Sequence, residues 1–233
     1  MDIKPLMLAA LLLSACGSSG GGSPQQPEVY PPWRGGLIGV WEPASNPRGA
    51  IILHQGHSAW HCYGYSCNLT PIAQRFAYAG YVVYGMEMPP DSPHEVGPID
   101  RFIDPVRMVL DAIEPSGLPI YMVGLSGGGW TTTVTTYLDS RIKRGYSVAG
   151  DHPVYSLWGD WESKNPPADY LTMYAAAGSR LVHIYNFNDP CCFAGIEGDQ
   201  GFPYVNDTTH DQHEISPWAV YYILADMAGV PTP

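Results

Sequence analysis

The sequence predicts an α/β fold, in which a mostly parallel sheet is covered by helices on both faces. Short apolar stretches alternate with longer amphipathic stretches along residues 33–233, and this alternation is typical of parallel strands joined by helices. Several of the apolar stretches, such as Ala50–Leu53, have the composition of buried strands. The roughly 200 residues from Trp33 onward suit one domain with a sizeable core.

Seven strands and five helices follow from these patterns. Each strand is a short apolar stretch, and Pro203 restricts the last one to an edge or a strand start. The first helix begins at an Asn, has an early Pro and stops at a Gly, and the second repeats apolar residues at helical spacing. The predicted strands are Leu37–Trp41, Ala50–Leu53, Tyr81–Tyr84, Pro119–Gly124, Gly145–Gly150, Arg180–Tyr185 and Phe202–Val205. The predicted helices are Asn68–Gly80, Asp100–Glu114, Gly127–Leu138, Ala168–Ala177 and Trp218–Ala228.

The N-terminal residues have the pattern of an export signal. Lys4 precedes an apolar run at 5–13 that is too short to span a membrane and fits a signal peptide. The run ends in L-S-A-C-G, which resembles the lipobox of bacterial lipoproteins, so residues 1–16 are expected to be a lipoprotein signal peptide with Cys16 lipidated. A plain secretory signal is the alternative. Gly17 after the Cys implies an outer-membrane location in the bacterial cell envelope. Residues 17–32 are rich in Gly, Ser, Pro and Gln and predict a flexible linker.

Charge excludes two classes of partner. The chain has 22 acidic and 11 basic residues and a formal net charge of −11, which argues against nucleic acid and against electrostatic adhesion to anionic lipid. Membrane attachment is therefore expected only through the lipid on Cys16.

The remaining cysteines are even in number, as expected in an oxidising compartment. They are Cys62, Cys67, Cys191 and Cys192. Three pairings stay open: one joins the two members of each close pair, and two tie the loops together. A zinc site with His57 and His61 is the competing idea, but the spacing matches no common zinc pattern. We therefore expect disulfides and no metal.

The most informative motif is G-L-S-G-G at 124–128, directly after a predicted buried strand and before a predicted helix. A G-x-S-x-G at such a turn is typical of a nucleophile elbow, in which small flanking residues permit a strained turn that exposes the Ser hydroxyl. The first N–H groups of the following helix then face any oxyanion that develops. The motif predicts Ser126 as a nucleophile.

Three further loops fall at the carboxyl ends of predicted strands, where reactive groups of such sheets gather. They carry H-Q-G-H at 54–57, N-D-P at 188–190 and T-H-D-Q-H-E-I-S at 209–216. Together with the elbow, these motifs make residues 33–227 resemble the α/β-hydrolase fold without a large cap. The elbow, N-D-P-C-C and H-E-I-S are also similar to bacterial hydrolases related to carbohydrate esterases and dienelactone hydrolases.

The resemblance implies Ser126 as nucleophile, Asp189 as acid and His213 as base. This agrees with the chemistry of a serine hydroxyl, which needs a neutral imidazole to take its proton and an acid to orient that imidazole. Asp151 is an alternative acid, since some members place it there, and His210 is an alternative base. Only 24 residues separate Asp189 from His213, so the helix usual between them must be absent or very short.

The resemblance also implies an oxyanion hole made by the backbone N–H of Gly127 and a second N–H from the loop after Leu53. Matching H-Q-G-H to the family's pattern favours His57 as this second donor. The match contains one extra residue, so Gln55 and Gly56 stay open.

The expected function is that of a serine hydrolase that cleaves a small-molecule or carbohydrate-linked carboxylic ester through an acyl-enzyme, with no cofactor. A serine peptidase or amidase is one alternative. A catalytically inactive surface lipoprotein that binds glycan or protein is the other, and an intact Ser, Asp and His in the family's order argues against it.

Overall fold

The computed structural model describes residues 36–56, 69–88, 99–152, 167–191, 194–198 and 200–232. The predicted signal peptide at 1–16, with Cys16, and the linker at 17–32 lie outside these ranges, as do His57, Cys62, Cys67 and Cys192. The prediction that no large cap covers the sheet concerns residues 153–166, which are also outside them. Within the described ranges, no helix is both long enough and apolar enough to span a membrane.

Seven strands form one sheet in the order β1-β3-β2-β4-β5-β6-β7. Only β1 runs antiparallel, against β3, and every other neighbouring pair is parallel. The mostly parallel sheet predicted from the sequence is thus confirmed. The strands are β1 (Leu37–Trp41), β2 (Gly49–His54), β3 (Tyr81–Met86), β4 (Ile120–Leu125), β5 (Ile142–Val148), β6 (Leu181–Asn186) and β7 (Tyr204–Asp207).

Five α-helices accompany the strands in the described ranges. Asp169 and Ser216 precede two of them and accept hydrogen bonds from the backbone N–H groups of Thr172 and Ala219, which is the usual N-terminal cap. Each helix overlaps its predicted segment. The helices are α1 (Thr70–Tyr78), α2 (Asp100–Ile113), α3 (Gly127–Leu138), α4 (Tyr170–Ala177) and α5 (Pro217–Met227).

Helices cover both faces of the sheet. Alternate residues of a central strand point to opposite faces and pack into different apolar clusters. Ile51 and Leu53 of β2 pack with α1 and α5 on one face. Ala50 and Ile52 of the same strand pack with α2 on the other face. Helices α3 and α4 form a third apolar cluster around Trp130. All residues of β2, β4 and β6 are buried, as expected for parallel strands covered on both sides.

Most element boundaries differ from the prediction by one to three residues, and two of these differences have a clear cause in the sequence. Strand β5 begins at Ile142, three residues early, because the charged pair Lys143-Arg144 lies inside the strand. Strand β7 begins at Tyr204, since Pro203 lacks the N–H that a strand ladder needs. The described residues between β6 and α5 contain only β7 and no helix, in agreement with the short separation of Asp189 and His213.

Candidate functional site

Ser126 lies on the sharp turn between β4 and α3. Its backbone has φ 55° and ψ −126°, a left-handed conformation that costs free energy in any residue with a Cβ. The turn is held from both sides: the Ser126 N–H donates to Val148 O at 2.9 Å, and the Ser126 carbonyl accepts from the Trp130 N–H at 3.0 Å. The side chain is partly exposed at the carboxyl end of the sheet.

The glycines of the motif are required by close backbone contacts. A Cβ on Gly124 would lie 2.0 Å from Gly128 O, and a Cβ on Gly128 would lie 2.2 Å from His54 O. Both separations are far shorter than any tolerated carbon–oxygen contact. The motif therefore lets the strand, the turn and the helix pack closely enough to present Ser126.

The loop after β2 packs directly against this turn. A Cβ on Gly56 would come within 2.8 Å of Ser126 Cβ and 3.0 Å of Gly127 N. Gly127 is the first residue of α3, so its N–H has no acceptor within the helix. Of the three residues predicted as candidates for a second oxyanion donor, Gln55 has its N–H engaged, because it donates to Met86 O at 2.7 Å. Gly56 and His57 remain, and His57 lies outside the described residues.

His54 holds the orientation of this loop. Its Nδ1 donates to Gln55 O at 2.7 Å within a buried environment. The carbonyl of Gln55 and the N–H of Gly56 belong to one planar peptide unit and point in opposite directions. Binding the carbonyl therefore aims the Gly56 N–H away from His54. Burial lowers the pKa of His54 to about 4, so the ring is neutral near pH 7.

His213 and Asp189 form a hydrogen-bonded pair at the ends of β6 and β7. His213 Nδ1 lies 2.7 Å from Asp189 Oδ2, and the Asp189 side chain is fully buried while that of His213 is 21% exposed. The second carboxylate oxygen accepts from the Cys191 N–H at 2.8 Å. A carboxylate only accepts, so Nδ1 carries the proton of the neutral ring and Nε2 is left as an acceptor.

Nε2 of His213 is buried and has no hydrogen-bond partner among the described residues. No hydrogen bond therefore joins Ser126 Oγ to His213 Nε2 in this structure. Catalytic hydrogen bonds often form fully only with substrate bound.

The alternative site residues have other partners. Asp151 is buried and its Oδ1 accepts from the Tyr174 hydroxyl at 2.7 Å, while His183 Nδ1 lies 3.2 Å from the same oxygen. His210 Nε2 lies 2.8 Å from Glu214 Oε1. Within the described ranges, only Asp189 is bonded to His213.

Asp189, Cys191 and His213 also place three potential metal-ligating atoms within 4.8 Å of one another. The donor chemistry does not fit a metal centre, because Cys191 is disulfide-bonded and its sulfur is not a thiolate. The other two atoms are occupied by their mutual hydrogen bond. The remaining cysteines lie outside the described residues, so the pairing stays a prediction.

Two further polar residues support the loop that carries His213, and of these Asn186 was not predicted from the sequence. Asn186 donates to backbone carbonyls of the His213 loop. Asp207 is fully buried and accepts hydrogen bonds from Thr209 and Ser216, at the two ends of that loop. The available signal was a polar residue at the last position of a strand, Asn186 after Tyr185 and Asp207 after Asn206.

No protein-family model matches the sequence, and no curated protein matches it. Solved structures do match. TT1662 from Thermus thermophilus has a TM-score of 0.60 at 16% identity, over 88% of this chain and 98% of its own. A cold-adapted esterase from an Arctic intertidal metagenomic library has a TM-score of 0.55 at 18% identity, over 81% of this chain and 84% of its own.

A carbohydrate esterase family 15 glucuronoyl esterase from Caldicellulosiruptor kristjansonii has a TM-score of 0.55 at 14% identity, over 83% of this chain and 73% of its own. Identities this low carry information on fold alone. Together with the strand order, the strand-to-helix turn at Ser126 and the helices on both faces, they show that this chain has the α/β-hydrolase fold.

Proposed function

We propose that the protein is a serine-dependent carboxylic ester hydrolase, with Ser126 as nucleophile, His213 as general base and Asp189 as the acid that orients it. One observation carries this proposal: a serine with positive φ stands at the same sheet edge as a hydrogen-bonded His–Asp pair. Strained serines at such turns and tautomer-fixing carboxylates are both costly to maintain without a catalytic use.

The strand order supports a shared site for the three side chains. Ser126 follows β4 and Asp189 follows β6, and these strands are separated only by β5. The axes of two strands with a third between them lie roughly 10 Å apart. An imidazole bonded to Asp189 can bridge that gap toward the hydroxyl of Ser126 by its free Nε2.

The reaction follows from these positions. Ser126 Oγ attacks the ester carbonyl carbon as His213 Nε2 takes its proton, and Asp189 stabilises the imidazolium. The oxyanion accepts from Gly127 N–H and from Gly56 or His57 N–H. His213 then protonates the leaving alcohol, and an acyl-enzyme remains on Ser126. Water, deprotonated by the same imidazole, attacks the acyl carbon and releases the acid and the free serine.

The proposed substrate is a small-molecule or carbohydrate-linked ester. Two structural neighbours are named esterases, one of them a glucuronoyl esterase, and this supports ester over amide chemistry. The site residues used need no metal or organic cofactor. We also propose that a lipid on Cys16 anchors the protein in a bacterial envelope, so that it meets esters outside the cytoplasm.

The test is a hydrolysis screen with the purified protein. Aryl esters of increasing acyl length, acetylated polysaccharides, methyl glucuronoyl esters and matched amides are offered to the wild type, S126A and S179A. Ser179 lies in a short turn before β6, away from the sheet edge, and is the matched control. We expect ester turnover by the wild type and S179A and none by S126A. Equal turnover by S126A contradicts the proposed nucleophile.

A further inference from the structure

We infer that Asn186 is a positioning residue that fixes His213 relative to Asp189. The inference rests on the proposed function, because it assigns Asn186 a role in the same site. Asn186 is the last residue of β6 and is fully buried. It touches neither Ser126 nor the imidazole in any described contact.

The side-chain amide of Asn186 is hydrogen-bonded to the backbone on both sides of His213. Its Nδ2 donates to Gln212 O at 2.8 Å and to Glu214 O at 2.9 Å. These are the carbonyl oxygens of the residues directly before and directly after His213. Among the described residues, no other side chain donates a hydrogen bond to the backbone of residues 212–214.

The backbone of Asn186 holds the other member of the pair. Its carbonyl accepts from the Asp189 N–H at 3.0 Å, which closes the turn that carries the carboxylate. Asn186 is therefore hydrogen-bonded to the turn of Asp189 through its main chain and to the loop of His213 through its side chain. The 2.7 Å contact between His213 Nδ1 and Asp189 Oδ2 is set by both attachments.

The hydrogen bonds that Asp207 makes to the loop lie farther from His213. Asp207 accepts from the N–H and the hydroxyl of Thr209 at 2.9 and 2.7 Å, and from the hydroxyl of Ser216. These bonds secure the loop at positions three or more residues from His213. Next to His213, the Glu214 N–H donates to Gln212 O at 3.1 Å within the loop, and the side chain of Asn186 ties this turn to β6.

An amide is the group that this position needs. The carbonyl oxygens of Gln212 and Glu214 require two N–H donors from one small side chain, and asparagine has both on a single nitrogen. An aspartate has nearly the same volume but presents oxygen to oxygen. Replacement by aspartate therefore removes the two hydrogen bonds without leaving a cavity. Replacement by alanine removes both the hydrogen bonds and the side-chain volume.

The chain contains a matched control on the neighbouring strand. Asn206 of β7 also makes two hydrogen bonds to the backbone of a loop: its Nδ2 donates to Ile196 O at 2.5 Å and its Oδ1 accepts from Ile196 N–H at 3.2 Å. Ile196 lies in the connection between β6 and β7, seven residues beyond Asp189, and neither bond of Asn206 reaches the loop that carries His213. A change at Asn206 thus removes two hydrogen bonds to a loop backbone without removing a bond to the loop of His213.

The experiment compares full-length wild type, N186A, N186D, N206A and S126A on an ester that the wild type hydrolyses. We expect kcat to fall about 10- to 100-fold in N186A and N186D with KM within about threefold, since small displacements of a catalytic group have effects of this size. N206A should keep kcat within about twofold, although its melting temperature falls as much as that of N186A. N186D retains the volume and reports on the hydrogen bonds if N186A fails to fold.

A spectroscopic readout separates positioning from general loosening. The His213 Nδ1 proton, bonded to Asp189, should give a downfield proton resonance in the wild type and N206A that is lost or broadened in N186A and N186D. Unchanged kcat and an unchanged resonance in folded N186D would overturn the inference while inactive S126A upholds the proposed function. Full activity of S126A would instead overturn the proposed function itself.

Discussion

The stability of the protein, through the loop after β2, is expected to depend on the protonation of His54. The side chain is buried with a pKa of about 4, against 6.5 for a free histidine, because burial disfavours the charged ring. His54 therefore binds a proton less readily in the folded state than in the unfolded chain. The stabilisation is complete above about pH 6.5 and is lost as pH falls toward about 4. Between about pH 7.5 and 4.5 this one group lowers the free energy of unfolding by about 2.5 kcal/mol.

Denaturant unfolding of the wild type and H54N at these two pH values isolates the effect. Asparagine places an N–H donor near the position of Nδ1 but does not titrate. The carboxylates, which also titrate in acid, are common to both proteins and cancel in the difference. We expect the wild type to lose about 2.5 kcal/mol more than H54N on acidification. An equal loss of unfolding free energy in the two proteins would refute a buried, neutral His54 that donates a hydrogen bond to Gln55 O.

Four further predictions follow from the site and the sequence. S126A and H213A should each lower turnover about 10^4- to 10^6-fold and the double variant no further, because the groups act as a unit; multiplying losses would argue against that. D189N should be far more damaging to turnover than D151N, and the reverse order would make Asp151 the acid. C16S should abolish incorporation of labelled fatty acid, so normal labelling of the variant refutes lipidation at Cys16. Alkylation of the unreduced native protein should leave the other four cysteines unmodified in mass spectrometry, and stoichiometric modification would indicate free thiols.

The fold was predictable because apolar periodicity and turn chemistry act locally. Pro71 near a helix start and Gly80 after its end mark α1 whatever surrounds it, and continuous apolar runs mark strands covered on both faces. The bend at Ser126 was predictable for a similar reason. Only small residues at 124 and 128 allow the close backbone contacts that the turn makes.

Contacts between distant loops were not predictable in the same way. Asn186 lies 26 and 28 residues from the carbonyls that it binds, and no periodicity relates the two positions. The exclusion of Gln55 as an oxyanion donor depends on the pairing of β2 with β3, which commits its N–H to Met86 O. The hydrogen bond of Asp189 to His213 likewise joins residues 24 positions apart.

Covalent labelling by a fluorophosphonate tests the central claim most directly. This reagent reacts with a serine only when a neighbouring base activates the hydroxyl. We predict that the wild type gains one adduct, located by mass spectrometry on the peptide containing Ser126, and that S126A and H213A gain none while remaining folded. Absence of an adduct on folded wild-type protein, or an adduct on a serine other than Ser126, would contradict the account.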